Sequence, residues 1–174
     1  MGDLVVSNRQ VATREKEEAQ YLTFILGGEM FAIDILMIKE IIEYGNLTTV
    51  PMMPDFVRGV INVRGAVVPV VDLSARFGRQ ISEVTRRSCI VIIEANVEGG
   101  DKQDVGVMVD SVSAVMEIPA SEIEPAPSFG ARIRIDFISG MAKVNGKFVI
   151  LLNVDRVLSV EEMAMLSDVN STTS

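Results

Sequence analysis

The stretch F-V-R-G-V-I-N-V-R-G-A-V-V-P-V-V-D-L, residues 56–73, decides how the rest of the chain is read. It holds two short apolar runs joined by a tight turn. Val60, Ile61 and Val63 supply the first run. Gly65 stands where the chain must reverse, and glycine tolerates the positive φ that such turns demand. Val67 to Val71 form a β-branched run broken only by Pro69. Proline has no N–H to give a ladder, which predicts an edge strand or a bulge. Arg64 lies beside the turn glycine, where a long charged side chain is exposed.

The same pattern recurs over residues 137–154, F-I-S-G-M-A-K-V-N-G-K-F-V-I-L-L-N-V. The copies align without a gap at an offset of 81, with 5 of 18 positions identical and 10 apolar in both. Gly59 and Gly65 match Gly140 and Gly146, and Asp72 matches Asn153. Internal repetition of this kind bears directly on fold.

Working outward, residues 21–26 read as a strand, Gly27-Gly28 as a turn, and Phe31, Ile33 and Ile35 as one face of a second strand. Residues 36–42 fit a helical turn or a third strand, and the pattern leaves both open. Residues 44–54 carry Gly45, Pro51 and Pro54 and read as loop. Residues 88–95 open the second half, followed by a polar tip over 98–104 and an alternating strand from Val105. Apolar residues coincide at 31/105, 33/107, 35/109, 38/112, 41/115 and 42/116, so the first hairpin repeats as well. A connection with Pro119, Pro125 and Pro127 leads to the second copy. Ser159-Val160-Glu161-Glu162 is a capping box that starts a short helix over 160–166.

Short strands with glycine turns, repeated twice, predict an all-β fold of two similar small barrels. The expected organisation is a tail over 1–20, a first barrel over 21–78, a second over 88–159, the C-terminal helix and a tail over 167–174. Exchange of a terminal strand between the barrels is left open.

Composition narrows function. The chain has 174 residues, is 48 % hydrophobic and has 5 % aromatic residues with no Trp, so Val, Ile, Leu and Met must build the core. Its net charge of −8 opposes binding to phosphate backbones. The one cysteine, Cys89, lies in an apolar strand, which fits a structural thiol in a reducing compartment. No apolar segment is long enough to span a bilayer, and the first residues lack the pattern of a signal peptide. Histidine is absent, which removes the commonest general base and metal ligand. Asp34, Asp72 and Asp110 stand singly, without metal-loop spacing, and read as turn or strand-end groups.

The series Y-L-T-F-I-L-G-G-E-M-F-A-I-D-I-L-M-I-K-E-I, P-D-F-V-R-G-V-I-N-V-R-G-A-V-V-P-V-V-D-L, V-G-V-M-V-D-S-V-S-A-V, I-E-P-A-P and V-E-E-M-A-M-L closely resembles the chemotaxis coupling proteins of the CheW-like domain family. The resemblance covers residues 20–166. It implies two five-stranded SH3-like β-barrels around a shared apolar interface. It implies a cytoplasmic adaptor without catalysis or cofactor, recruited to membrane receptor arrays. Its partners would be the cytoplasmic helical hairpin tip of chemoreceptors (methyl-accepting chemotaxis proteins) and the regulatory domain of the histidine kinase CheA. It carries receptor- or kinase-contact roles onto Ile38, Glu40, Gly59 and Arg64, without dividing them between the partners. A receptor groove between the barrels would draw on Ile33, Ile35, Val60, Ile61, Val109 and Val112, although plain core is the competing reading for most of these. Met37, Met108 and Met141 are candidates for an adaptable lining or for gap-filling core.

The repeat supplies a control. Arg64 aligns with Asn145, Glu40 with Ala114 and Arg58 with Ser139. A charge present in only one of two equivalent units is not needed to build the unit, which favours recognition. The competing function is an enzyme or small-ligand protein using the inter-barrel cleft. A nucleic-acid-binding barrel is opposed by the acidic charge.

Overall fold

A computed structural model describes residues 18–96, 102–125 and 134–158. The strands are β1 (Glu18–Leu26), β2 (Glu29–Asp34), β3 (Ile38–Glu43), β4 (Val57–Val63), β5 (Ala66–Asp72), β6 (Cys89–Asn96), β7 (Lys102–Val109), β8 (Ser111–Pro119), β9 (Ile123–Glu124), β10 (Ile138–Val144) and β11 (Lys147–Leu152). Two single-turn helices follow the repeated hairpins, α1 (Leu73–Arg76) and α2 (Val154–Val157). β1 reaches back into the expected tail. The segment that read as turn or strand is both: a 3-10 turn at Ile35–Met37, capped by Asp34, runs into β3. The expected tail over 1–17, the tip at 98–101, Pro127, the capping box and the helix over 160–166 lie outside the described residues.

The two copies of the repeat form the same object. β4–β5 and β10–β11 are hairpins with two-residue turns, Arg64-Gly65 (φ 52°, 86°) and Asn145-Gly146 (φ 51°, 79°). Positive φ at both central residues is the turn that matches strand twist. Each hairpin is bulged at its first glycine, between Val57 and Gly59 and between Ile138 and Gly140. There a crossing segment comes close. A Cβ on Gly59 would stand 2.4 Å from Thr48 O, and one on Gly140 would stand 2.5 Å from Ile123 Cγ2. Asp72 caps α1 by accepting from Ser74 N and Ala75 N, and Asn153 caps α2 by accepting from Arg156 N.

Sheet membership departs from the expected halves. One sheet has the order β8-β1-β2-β11-β10-β9 and the other β3-β6-β7-β5-β4. The expectation of five strands each gives way to six and five, the sixth being the two-residue β9. The units expected over 21–78 and 88–159 do not coincide with the two sheets. The five-stranded sheet is one continuous run of strands, Ile38 to Val109. The six-stranded sheet is assembled from the segments on either side of it. A whole hairpin has changed places in each direction: β1–β2 joins β8, β10 and β11, while β6–β7 joins β3, β4 and β5. The joints are parallel and equivalent, Ala32 against Leu151 and Gly106 against Val70.

Pro69 is not on an edge strand, since β5 lies between β7 and β4. Its missing donor is tolerated because the ladder to β7 begins only at Val70. The bulge sits on the opposite strand, β4.

Three apolar clusters form the core. Ile61, Val68, Val70, Ile90, Ile92 and Met108 fill the five-stranded sheet, and Ala32, Ile118, Ala142, Val149 and Leu151 fill the six-stranded one. The third lies between them and takes one face of β1, β2, β6 and β7. Phe24, Phe31, Phe77 and Phe137 run through it with ring centroids 6.0, 5.6 and 6.0 Å apart. These rings fill part of the space between the sheets.

Candidate functional site

β3 carries the candidates Ile38 and Glu40, and a bulge between them opposite β6 orients them. On one side of it Ile38 leans half-buried on the core between the sheets, with Ile35 and Met37. On the other, Ile42 packs into the interior of the five-stranded sheet. β8 has the matching irregularity opposite β1, where Thr23 faces Ala114 and Phe24 faces Val112.

The five-stranded sheet curls until its edge strands approach. Arg64 Nη2 lies 3.4 Å from Glu40 Oε1, joining the β4–β5 turn to β3. Nearby, Arg58 Nε donates to Tyr44 Oη at 3.4 Å, with the guanidinium 6.0 Å above the tyrosine ring. The sequence thus brings Ile38, Glu40 and Arg64 to one rim. Arg64 is 83 % exposed and Glu40 27 %, so their pair is a weak, solvent-screened contact.

Arg64 holds its position at a conformational cost. Its φ of 52° is left-handed, which burdens an ordinary L residue by ~1–2 kcal/mol but suits Asn. The matched turn uses Asn145 with φ 51°. Asn62 Oδ1 accepts from Gly65 N at 3.0 Å and helps to hold the turn. The elements that carry Glu40 and Arg64 also hold exposed apolar side chains that the sequence reading passed over. Val67 follows the turn at 69 % exposure, Ile41 neighbours Glu40, and Leu36 is 88 % exposed on the capped 3-10 turn. For Val67 and Ile41 the signal was the outward phase of the strand, whereas Leu36 lies on a turn.

Other candidates take framework roles. Gly59 is buried, and its φ of 149° and its contact with Thr48 exclude a side chain. Thr48 and Val60 exchange two 2.8 Å backbone hydrogen bonds across it. Gly59 therefore shapes the site without presenting a surface. Among the groove candidates, Ile33 and Val109 are buried between the sheets and Ile61 inside the five-stranded sheet. This agrees with the core reading that competed with a groove wall for these three. Ile35, Val60 and Val112 are half-buried. Met108 is core, and Met37 and Met141 are half-buried.

Arg58, unmatched in the repeat, is also engaged internally. Its Nη1 lies 4.0 Å from Asp72 Oδ2. Asp72 is fully buried and accepts from Ser82 N (2.8 Å), Ser82 Oγ (3.0 Å) and the two α1 amides. A buried carboxylate needs such donors and a nearby cation. Asp34 and Asp110 are turn groups as expected, accepting from Leu36 N and Gly27 N. Lys39 is taken up by Asp104 at 3.0 Å and Glu94 at 3.7 Å, and the hydrogen bond to Asp104 raises its pKa.

Arg76 went unnoticed in the sequence. It is buried in α1 with its guanidinium 5.4 Å from the Phe56 ring centroid and 4.8 Å from that of Phe137, the first residues of the two repeats. Its Nε donates to Val157 O at 2.8 Å. One cation thus ties both repeats together. Val157, the aligned residue, is apolar, and that was the available hint of burial.

Among the described residues no group of three or more His, Cys, Asp or Glu is placed to hold a metal, and no helix is long and apolar enough to cross a membrane. A cavity of about 590 Å³ lies against the linker after α1, lined by Ser74, Arg79, Ser82, Glu83 and Asp110. Within it Arg79 is paired with Glu29 at 2.9 Å.

Comparison with known proteins agrees with this architecture. The family model of the CheW-like domain matches residues 20–162. The chemotaxis protein CheW of Klebsiella aerogenes is 33 % identical over 150 residues, covering 86 % of this chain and 87 % of its own. The chemotaxis protein CheW of Rhizobium meliloti is 32 % identical, covering 82 % and 89 %. The crystal structure of the scaffolding protein TtCheW from Thermoanaerobacter tengcongensis superposes with a TM-score of 0.72 at 32 % identity, covering 80 % of this chain and 87 % of that one.

Proposed function

The chain belongs to the CheW-like domain family and is a CheW-like adaptor of chemosensory signalling; from that premise we propose that it works without catalysis, joining chemoreceptor tips to the regulatory domain of the kinase CheA. It acts in the cytoplasm and reaches membrane receptor arrays through these partners. The contact surface is the rim made by Ile38, Glu40 and Arg64, widened by Leu36, Ile41 and Val67.

The observation that carries this reading is Arg64. It occupies a left-handed turn position that the second repeat fills with Asn, and it presents a largely solvated guanidinium. Strain retained without an internal gain points to a role outside the fold. A partner acidic group facing Arg64, and a basic one facing Glu40, would fix register. The apolar neighbours would supply buried area.

An adaptor performs no bond chemistry. It holds two partners at a set spacing, so its body must not flex. The exchanged hairpins, the core between the sheets and the Arg76 bridge support such rigidity.

The test is a reconstituted receptor–kinase assay with Arg64→Asn, Arg64→Asp and the matched control Asn145→Asp. Loss of kinase control in both Arg64 variants, with the control intact, is expected. Normal coupling in both would remove Arg64 from the site.

A further inference from the structure

The residue matching Val67 in the second repeat is Phe148, and it too is exposed, at 63 %. It does not belong to the Glu40–Arg64 rim. It lies on the other sheet, where it helps line a groove of about 450 Å³ between the β1–β2 turn and the β10–β11 hairpin. Ile25, Met30, Met141 and Ile150 supply the rest of the apolar lining. Two unbranched methionines let such a surface adjust to what it holds.

The charges here differ from those of the protein as a whole. Lys143 and Lys147 flank Phe148, both exposed, on a chain of net charge −8. Lys143 Nζ is 5.9 Å from the Phe148 ring centroid. Neither lysine has an ion-pair partner among the described residues. The acidic residue in the lining, Glu29, is engaged by Arg79 at 2.9 Å. The free charge at the groove is therefore positive.

Topology selects the kind of occupant. β1, β2, β10 and β11 are all internal to their sheet, with neighbours on both sides. β11 and β2 are flanked on both sides, and β10 meets the short β9 at Met141 and Ala142, so recognition at Phe148 and Ile150 uses side chains, as when an amphipathic helix lies in an apolar groove. We propose that the Phe148 groove is a second docking surface, which takes an acidic amphipathic helix of a partner protein. The helix sets its apolar stripe on Phe148, Met30, Met141 and Ile150 and its carboxylates against Lys143 and Lys147.

The probe is a library of helical peptides about 18 residues long, with apolar residues fixed at i, i+3, i+4 and i+7 and the flanking positions varied among Glu, Gln and Lys. The full chain is the bait, and affinity is read by fluorescence anisotropy. Glu-flanked peptides should be selected and should bind at least about tenfold more tightly than their Lys counterparts. That preference should vanish in Lys143→Glu/Lys147→Glu while the thermal transition stays in place. The methyl resonances of Met30 and Met141 should shift on binding. Arg64→Asn should leave peptide binding unchanged, which separates this surface from the rim proposed above. The proposal is overturned if no peptide binds saturably, if Lys-flanked peptides bind as well, or if the shifts fall elsewhere. It is also overturned if sedimentation shows a dimer that Phe148→Ser abolishes, because the occupant is then a second copy.

Discussion

Replacing Arg64 by the residue that its own repeat uses should make the protein more stable and less active. The two effects are separable in size and sign. Arg64 has φ 52° in a turn whose second residue, Gly65, has φ 86°. An ordinary side chain gives up ~1–2 kcal/mol in that conformation, most of which Asn recovers because it tolerates left-handed backbone. Against this stands the lost pair with Glu40, 3.4 Å long, with 83 % of the Arg64 side chain in solvent. Exposed pairs of this kind contribute ~0–1 kcal/mol, and such exposure puts this one near the bottom of that range. Arg64→Asn should therefore be neutral or stabilising by up to about 1 kcal/mol, a rise of roughly 2–4 °C in Tm for a chain of this size.

Partner binding should move the other way. Truncating a charge that is paired and desolvated across an interface costs ~2–5 kcal/mol. Urea unfolding gives the first quantity, and receptor-dependent kinase activity with partner titrations gives the second. Glu40→Gln and the double variant complete a cycle that isolates the internal pair from partner contacts. A variant destabilised by more than about 1 kcal/mol would refute the strain account. A stabilised variant with undiminished coupling would refute the assignment of Arg64 to the contact surface.

Gly59→Ala should be strongly destabilising, beyond the ~1 kcal/mol usual for point changes, because its Cβ would meet Thr48 O at 2.4 Å; a denaturation midpoint near the parent would show that the crossover can shift. Ile38→Asp should weaken receptor binding yet retain a cooperative thermal transition, since Ile38 is only half-buried, and loss of that transition would place it in the core. Arg76→Met should lower stability by leaving Val157 O without its donor and by removing the cation from between Phe56 and Phe137, a loss of ~1–3 kcal/mol by chemical denaturation. An unchanged midpoint in Arg76→Met would deny the bridge any energetic role.

Much of the fold was legible because the repeat fixes local geometry twice. Two glycine turns, two bulged glycines and two strand-end caps each had a matched partner, so a chance pattern in one copy was checked by the other. Which hairpin joins which sheet was not legible, and the repeat itself is the reason. At the parallel joints, Ala32 meets Leu151 and Gly106 meets Val70. Keeping the hairpins at home would set Ala32 against Val70 and Gly106 against Leu151, with small residues again facing branched ones. Strand pairing is chosen by cross-strand packing and burial phase. Both arrangements satisfy these equally in one dimension. What separates them is the geometry of short links. β2 reaches β3 through the single turn Ile35–Met37, and β7 reaches β8 across Asp110. Each link carries the chain from one sheet to the other, and a pattern of apolar residues does not encode that direction.

The same control, one charge present and its counterpart absent, worked unevenly at the site. It singled out Glu40, Arg58 and Arg64 alike, but the three are unmatched for different reasons. Arg58 is unmatched because Asp72 is. The second repeat has Asn153 there, a neutral cap that needs no cation, and so Ser139 suffices opposite it. The asymmetry of Arg58 is thus compensated within the fold. Among the described residues Glu40 and Arg64 pair with each other, through a contact too exposed to account for a strained arginine. An unmatched charge argues for recognition only after its internal partners have been subtracted. Sequence cannot perform that subtraction, because Asp72 lies 14 positions from Arg58 and reveals its burial only once β5 is placed between β4 and β7.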